Sequence, residues 1–277
     1  MSSKLKKIRN FIRFILKVFI INCLNQILVK IKFYLLPSIP LFSLFSKIKY
    51  SPKTSSFYFE NIKNNNKFNT LRIDSSDFFT ILCKSGRSFH TDKSPFNFFA
   101  HRHSYTCFYD ILFSRYRDDK FNFAEIGVFK NNSFKMFRKY FNKAKLYGFD
   151  FEKNYLEKAK KEKLKNTVYL HIDVRKDLNI YKTFLRTNKK FKIIIDDSTH
   201  TFEDQIRIIK NCHHFLESKG ILVIEDVFHH KDLEVKYYNS LKNYKKYFQN
   251  IFMVETNHIN KFSKNQNNDK LLVLIKK

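Results

Sequence analysis

Glycine and tryptophan are scarce in this sequence, and its cysteines form no recognisable motif. The 277 residues include four glycines, four cysteines and no tryptophan. Cys23, Cys83, Cys107 and Cys212 show no C-x-x-C spacing, and nothing in their positions indicates a disulfide framework. We therefore expect buried or inert thiols in a reducing, intracellular setting.

Acidic residues are also few. The chain has 25 Asp and Glu residues against 53 Lys and Arg, and the resulting net charge of +28 favours an anionic partner. However, most of the basic residues are lysines spread along the chain, in a composition rich in Phe, Ile and Asn that is typical of an AT-biased genome. We therefore interpret most of the charge as solvated surface and expect no specific nucleic acid as a partner. The net charge is also compatible with anionic substrates and with anionic lipids.

Long uncharged stretches are absent from the N-terminal segment, although it is apolar. Residues 1–59 contain no acidic residue, and their uncharged runs, such as residues 18–29, are too short to span a bilayer. No small-residue cleavage site follows, which argues against a secretory signal. Basic residues recur in steps of three and four, at Lys6, Arg9, Arg13 and Lys17. This spacing predicts one basic face of an amphipathic helix.

Two interpretations of this segment stay open. The helix can lie on an anionic membrane surface, with contact through residues 1–45, or it can pack on the main domain or a partner. We accordingly expect a cytoplasmic protein, which in the first case also makes peripheral contact with the inner membrane face.

The pattern changes after an Asn- and Lys-rich run at 61–69, which predicts a flexible linker between an N-terminal helical extension (1–60) and one domain (70–277). Five apolar runs are then separated by segments of helical period, and two more follow with only a loop between them. They are FNFAEIG, AKLYGFD, TVYLHID, KIIID, ILVIED, NIFMVETN and LLVLIK. Apolar strands between helices predict a parallel sheet covered on both faces, and the last two predict an antiparallel hairpin.

The expected fold is therefore α/β. It is a doubly wound, mostly parallel, seven-stranded Rossmann-like sheet with an antiparallel C-terminal hairpin, plus an N-terminal basic amphipathic helical extension.

The first five predicted strands all end in carboxylates, in a chain that is otherwise short of acid. The residues are Glu125, Asp150, Asp173, Asp196 with Asp197, and Glu225 with Asp226. Ligands bind at the carboxyl ends of strands in such sheets. Helix N-capping by Asp explains one or two of these ends but not all five.

The few glycines occur at the same places. Gly127 closes the first strand, Gly148 precedes Asp150, and Gly220 opens the fifth strand. Because composition has removed glycine almost everywhere else, we interpret these three as backbone positions that tolerate no side chain.

Several of these segments together resemble a known family. AEIGVFKNNSFKMFRKYFNKAKLYGFD, IIIDDSTH and GILVIED are similar to the class I S-adenosylmethionine-dependent methyltransferases, and more closely to the metal-dependent sugar O-methyltransferases of the macrocin and mycinamicin type. HTDKSPFNFFAHRHSYTCFYDILF (90–113) is similar to that family's Thr-Asp-Lys segment, followed by His-x-Tyr and a further Tyr. The resemblance covers roughly residues 86–230 and not the N-terminal segment.

The resemblance implies S-adenosylmethionine as cofactor. Its binding residues would be Thr91, Glu125, Gly127, Asn131, Ser133, Asp150, Asp173 and Asp196. Glu125 and Gly127 would form the turn against the methionine end, and Asp150 would accept hydrogen bonds from the ribose hydroxyls. Asp173 would lie near the adenine.

The resemblance also implies a metal site and a catalytic base. Asp197, Glu225 and Asp226 match the family's metal-binding carboxylates, and an all-oxygen set suits a hard divalent cation such as Mg²⁺. His200 matches the base. A chelating cation lowers the pKa of a hydroxyl, and a histidine can take its proton near neutral pH before the oxygen attacks the sulfonium methyl. A histidine alone is more often a solvent-exposed residue at a helix start, but its place three residues after Asp197 favours catalysis.

The chain departs from the family's pattern at three places. Asn131 and Asn132 stand where the family has glycines in the cofactor turn, and Asn tolerates left-handed backbone best after glycine. Ser198-Thr199 replaces a Gly-Ser pair, and Lys219 stands where a glycine is common. No proposed ligand is lost.

The leading hypothesis is an S-adenosylmethionine- and Mg²⁺-dependent O-methyltransferase that acts on a sugar hydroxyl of a small molecule, a glycan or a nucleotide-linked sugar. An RNA methyltransferase and a non-catalytic, membrane-associated relative of the fold are the alternatives. The family often forms homo-oligomers, which would make a second copy of the chain a partner.

Overall fold

The computed structural model describes residues 57–60, 66–97, 101–262 and 267–277. The chain divides between residues 54 and 55 into two units, and every described residue belongs to the second. The predicted N-terminal amphipathic helix lies outside the described residues and stays a prediction. Within the described ranges, no helix is long and apolar enough to cross a membrane.

The described strands form one mixed sheet of nine strands in the order β1-β2-β8-β9-β7-β6-β3-β4-β5. Their bounds are β1 Phe57–Glu60, β2 Asn69–Asp74, β3 Asn122–Ile126, β4 Lys145–Asp150, β5 Thr167–His171, β6 Phe191–Asp196, β7 Leu216–Val227, β8 Phe248–Asn257 and β9 Lys270–Lys276. Strands β7, β6, β3, β4 and β5 pair in parallel, and β9 pairs antiparallel with both β7 and β8. The predicted fold class, with its C-terminal hairpin, is confirmed.

Helices cover both faces of the sheet. They are α1 Ile81–Ser88, α2 Tyr105–Phe113, α3 Asn132–Tyr140, α4 Lys153–Lys161, α5 Asp177–Arg186, α6 Phe202–Cys212 and α7 Lys231–Leu241. Helices α1 to α4 contribute to one apolar core, together with Ile193 and Ile195 of β6. Helices α5 to α7 contribute to the other, together with Ile194. Because successive residues of a strand point to opposite faces, the three consecutive isoleucines of β6 serve both cores.

Two strands that the sequence did not predict extend the sheet at one edge. β2 pairs in parallel with β8, and β1 pairs antiparallel with β2. The sheet therefore begins before the predicted domain boundary at residue 70, and residues 57–60 form a strand rather than the end of a helical extension. Only Thr70 and Ile73 of β2 are buried, so its apolar signal is weak beside the polar run that precedes it.

The order of connection reverses at β3, which lies between β6 and β4. Loops that leave the carboxyl ends of strands on either side of such a reversal diverge and leave a crevice. Residues 127 and 197 follow β3 and β6 directly, and the Asp197 N–H donates to the carbonyl of Ile126 at 2.8 Å. This crevice is where the sequence places its strand-end carboxylates.

Candidate active site

The turn after β3 requires a residue without a side chain. Gly127 has a φ of +108°, and a Cβ there would overlap the backbone carbonyl of Asp197. The Gly127 N–H donates to the carbonyl of Phe149 at 2.7 Å, which ties the turn to β4. The predicted role of this glycine thus has a geometric cause, namely the close approach of the β3 and β6 loops.

Asn131 adopts left-handed backbone, with a φ of 62°, at the start of α3. Its side chain points inward. The amide nitrogen donates to Glu162 Oε2 at 2.8 Å, and the amide oxygen accepts from the Tyr169 hydroxyl at 2.8 Å. Asn131 therefore connects α3 to β5 and to the segment after α4. It lines none of the cavities described below, whereas Asn132 lines one.

Three cavities meet at this edge of the sheet. The Thr91 cavity has a volume of about 430 Å³, and Thr91, Gly127, Asn132 and Ser133 are among its lining residues. The β4 cavity has about 330 Å³, and Asp150, Phe151, Tyr155, Ile172 and Val174 line it. The His200 cavity has about 880 Å³, and His200, Asp226, Phe228, His230 and Lys236 line it. Asp92 lines all three, although the sequence did not single it out.

Asp150 holds the turn and faces the β4 cavity. Its Oδ2 accepts from the N–H groups of Val128 and Phe129 at 2.7 and 3.0 Å, and its Oδ1 accepts from the Glu152 N–H at 2.8 Å. A carboxylate has about four acceptor positions, so Oδ1 can still accept a further bond from a ligand.

Asp173 and Asp196 lie apart from these cavities. Asp173 is held by Arg175, whose Nε donates to Oδ1 at 2.8 Å, and this contact lowers the pKa of Asp173 to about 2. Asp196 accepts a hydrogen bond from Ser198 at 2.6 Å, and burial raises its pKa to about 7. Neither residue lines any of the three cavities. Their predicted contacts with a cofactor stay predictions.

The ends of β6 and β7 bring four of the predicted residues together. His200 Nε2 lies 4.0 Å from Asp197 Oδ1 and 3.7 Å from Asp226 Oδ2. These three residues offer ligand atoms that all lie within 4.8 Å of one another. Glu225 is adjacent but buried at 1% exposure. Burial raises the pKa of Asp197, Glu225 and Asp226.

Two tyrosines of α2 support this group. The Tyr109 hydroxyl donates to Glu225 Oε1 at 2.6 Å, and the Tyr105 hydroxyl donates to Asp226 Oδ1 at 2.7 Å. Both tyrosines lie in the segment 90–113 that resembles the family, but the sequence indicated no role for them. Their spacing of four residues places them on one face of a helix, and this spacing is the sequence signal that favours a common target.

Lys93 is a further residue whose role the sequence did not reveal. It is 1% exposed, and its Nζ contacts Asp197 Oδ2, lies 2.6 Å from Glu225 Oε2 and lies 3.4 Å from Glu125 Oε1. Burial alone would lower the pKa of Lys93, but these three carboxylates outweigh it and raise the pKa well above its ordinary value. The ammonium is therefore charged.

Glu125 lies below the cavities rather than in their walls. It is fully buried, and it accepts a hydrogen bond from Ser133 at 3.0 Å. Burial raises its pKa to about 7. The residue links β3 to α3 and to Lys93, and Ser133 itself lines the Thr91 cavity.

Two further histidines border the group. His101 and His103 lie 2.8 Å apart at their Nε2 atoms, and His103 Nε2 lies 3.5 Å from Asp226 Oδ1. Burial lowers the pKa of His103 to about 4, so this ring is neutral near pH 7. His101 lines both the Thr91 cavity and the His200 cavity.

Known proteins agree with this architecture. A family model described as a methyltransferase domain matches residues 131–273, just over half of the chain. No curated protein matches the chain significantly. MycE methyltransferase from the mycinamycin biosynthetic pathway, solved with Mg, SAH and mycinamycin VI, superposes with a TM-score of 0.53 at 17% identity, over 71% of this chain and 54% of that one.

A second crystal form of MycE with Mg and SAH gives a TM-score of 0.53 at 16% identity, over 72% of this chain and 54% of that one. This chain thus spans about half the length of MycE. A putative rRNA methylase from Clostridium thermocellum has a TM-score of 0.46 at 14% identity, over 65% of this chain and 100% of that one. The family match shows that this chain belongs to the methyltransferase domain family, and its fold is that of the class I S-adenosylmethionine-dependent methyltransferases.

Proposed function

We propose that this protein is a Mg²⁺-dependent O-methyltransferase that methylates a sugar hydroxyl. The observation that carries the proposal is the group formed by His200, Asp197 and Asp226, which opens to the His200 cavity of about 880 Å³. This volume suits a sugar with part of its aglycone or nucleotide. A base and two carboxylates at the cavity floor are the groups that the activation of a hydroxyl requires.

The Thr91 and β4 cavities together suit S-adenosylmethionine. Asp150 Oδ1 can accept from a ribose hydroxyl, and Ile172 and Val174 offer apolar contact to a base. Thr91 and Ser133 offer hydroxyl groups to the amino-acid end of the cofactor, beside the turn at Gly127. Asp197 lines both the Thr91 cavity and the β4 cavity. The methyl group would then point toward Asp197 and the neighbouring His200.

The donor set fits a hard divalent cation. Asp197 and Asp226 supply oxygen atoms near one another, and Glu225 adds a third carboxylate behind them. When bound, such a cation lowers the pKa of a chelated hydroxyl and orients it. The MycE structures contain Mg and SAH, which supports the same pairing here by analogy of fold.

His200 is the base in this proposal. Its backbone is left-handed, with a φ of 57°, which turns the ring back toward the carboxylates. Nε2 would take the hydroxyl proton as the sugar oxygen forms its bond to the methyl carbon and the carbon–sulfur bond breaks. The carboxylates of Asp197 and Asp226 then stabilise the imidazolium.

Methyl transfer from labelled S-adenosylmethionine to a panel of free and nucleotide-linked sugars tests the proposal. We expect transfer that excess EDTA abolishes and added Mg²⁺ restores. Asp197→Asn should lower the rate about a hundredfold or more, since a bound metal contributes several kcal/mol to the transition state. Asp177→Asn is the matched control, because Asp177 is exposed at the start of α5.

Three results would contradict the proposal in different ways. Transfer that persists in EDTA would remove the metal from the mechanism. Methylation of RNA but of no sugar would favour the RNA alternative. Failure of the folded protein to bind S-adenosylmethionine in calorimetry would favour a non-catalytic relative.

A further inference from the structure

Lys93 occupies the centre of the carboxylates to which the proposed function assigns a divalent cation. Its ammonium contacts Asp197 and Glu225 at once, and it reaches them from a segment more than a hundred residues earlier in the chain. It lines none of the three cavities, so it touches neither acceptor nor cofactor. Among the described residues, the ion-pair partners of this ammonium are Asp197, Glu225 and Glu125.

An ammonium and a divalent cation that contact the same carboxylate oxygens repel each other and compete for these oxygens. Mg²⁺ binds carboxylate oxygen at about 2.0–2.1 Å. Glu225 Oε2 and Asp197 Oδ2 both face Lys93 Nζ, and Glu225 Oε1 faces Tyr109. A cation that binds Glu225 would therefore repel Nζ and favour its withdrawal.

Glu125 offers the place to which the ammonium can withdraw. Its Oε1 is buried, makes no hydrogen bond of ordinary geometry with any residue that the structure describes, and already lies 3.4 Å from Nζ. A short rotation of the lysine side chain would convert this distance into a direct ion pair. A buried carboxylate and a buried ammonium both remain paired in that arrangement.

We propose that Lys93 is a built-in counter-ion, which holds Asp197 and Glu225 together before a divalent cation binds and moves to Glu125 when it does. This inference rests on the proposed metal site. Lys93 is thus a positioning residue that keeps the site folded in the metal-free state and weakens metal binding by competition.

Thermal unfolding and calorimetry of the full chain, with and without Mg²⁺, test this role. Lys93→Met should lower Tm by about 10 °C without Mg²⁺, because it leaves buried carboxylates unpaired. Added Mg²⁺ should raise Tm more in this variant than in the wild type. A roughly tenfold gain in Mg²⁺ affinity corresponds to an extra shift of about 3–6 °C.

Lys270→Met is the matched control. Lys270 is 2% exposed and contacts Glu234 and Glu255, away from the three cavities. Its loss should destabilise the protein without any extra response to Mg²⁺. An equal Mg²⁺ response in both variants would overturn the inference.

A double variant covers the case in which Lys93→Met does not fold. Lys93→Met with Glu225→Gln removes one charge of each sign, and we expect it to recover at least half of the lost Tm. No recovery would overturn the inference. If the wild type binds Mg²⁺ and Lys93→Met has the same Tm and the same Mg²⁺ affinity, the inference about Lys93 is overturned. The proposed function is unaffected by that result. No Mg²⁺ binding by either protein would overturn both.

Discussion

Single residues in the cofactor turn show how the chain compensates for its lack of glycine. At Asn131 the left-handed backbone that glycine would adopt freely is kept, and the amide side chain gains partners in Glu162 and Tyr169. Asparagine tolerates this conformation better than other residues with a side chain. The substitution thus exchanges backbone freedom for two hydrogen bonds.

We expect Asn131→Ala to destabilise the protein by about 2–3 kcal/mol, because it adds backbone strain and leaves the buried Tyr169 hydroxyl without its acceptor. Asn131→Gly removes the strain but not the second loss, so its cost should be about half as large. Urea unfolding of the three proteins measures both. Equal stability of the two variants would show that the backbone conformation contributes nothing.

The geometry allows His200 to act either as a base or as a metal ligand, since its Nε2 lies near both Asp197 and Asp226. If it is the base, His200→Ala should lower methyl transfer about 10²–10⁴-fold and leave Mg²⁺ affinity nearly unchanged. Calorimetric Mg²⁺ titration and the transfer assay, run in parallel, separate the roles. Loss of Mg²⁺ binding would instead make His200 a ligand. His214→Ala, at an exposed position beyond α6, is the control.

At the scale of elements, the junction between α6 and β7 buries a histidine without satisfying it. Within the described ranges, neither buried ring nitrogen of His213 has a hydrogen-bond partner of ordinary geometry, and Tyr247 packs against the ring at 4.8 Å. Burial lowers the pKa of His213 to about 4. Folding therefore favours the neutral form of the His213 ring.

This burial predicts a pH dependence of stability. Between about pH 4 and pH 6.5 the unfolded chain binds the proton more readily, so the contribution is fully present above pH 6.5 and is lost as pH falls toward 4. His213→Phe should reduce the loss by about 1–2 kcal/mol, measured by urea unfolding at about pH 7 and about pH 4.5. The stability of this variant should still fall with falling pH, because burial also lowers the pKa of His103. An unchanged slope would contradict the assignment.

At the scale of the whole molecule, charge is unevenly distributed along the chain. Residues 1–59 hold eleven basic and no acidic residues, whereas all 25 acidic residues lie beyond them. Such a segment, with apolar residues between the charges, favours contact with anionic lipid. The contact stays a proposal, since the segment lies outside the described residues except for 57–59.

We expect the full chain to float with vesicles that contain anionic lipid and a shortened chain of residues 55–277 to float much less, because the segment contributes about 1 kcal/mol per basic residue near the surface. Neutral vesicles are the control. Equal partitioning of the two chains would exclude the segment as the membrane contact.

Much of the fold could be predicted, because its signals are local. Apolar runs such as 193–195 are buried on both faces, and the loop between β8 and β9 leaves only an antiparallel pairing. The strand-end acids followed from the same rule, and Asp197, Glu225 and Asp226 do converge. β1 and β2 were not predicted, and β2 carries little periodic signal because only two of its six residues are buried.

The sequence by itself determined seven of the nine strands, the acids at their carboxyl ends and the glycine at residue 127, because strand period and the scarcity of glycine can be read locally. Only the tertiary structure decided that Lys93 and Tyr109 meet Glu225, since these contacts join residues 132 and 116 positions apart. It also decided that Asp92 lines the three cavities, whereas Asp173 and Asp196 line none of them. Pairing over such distances depends on how helices pack on the sheet, which no local pattern specifies.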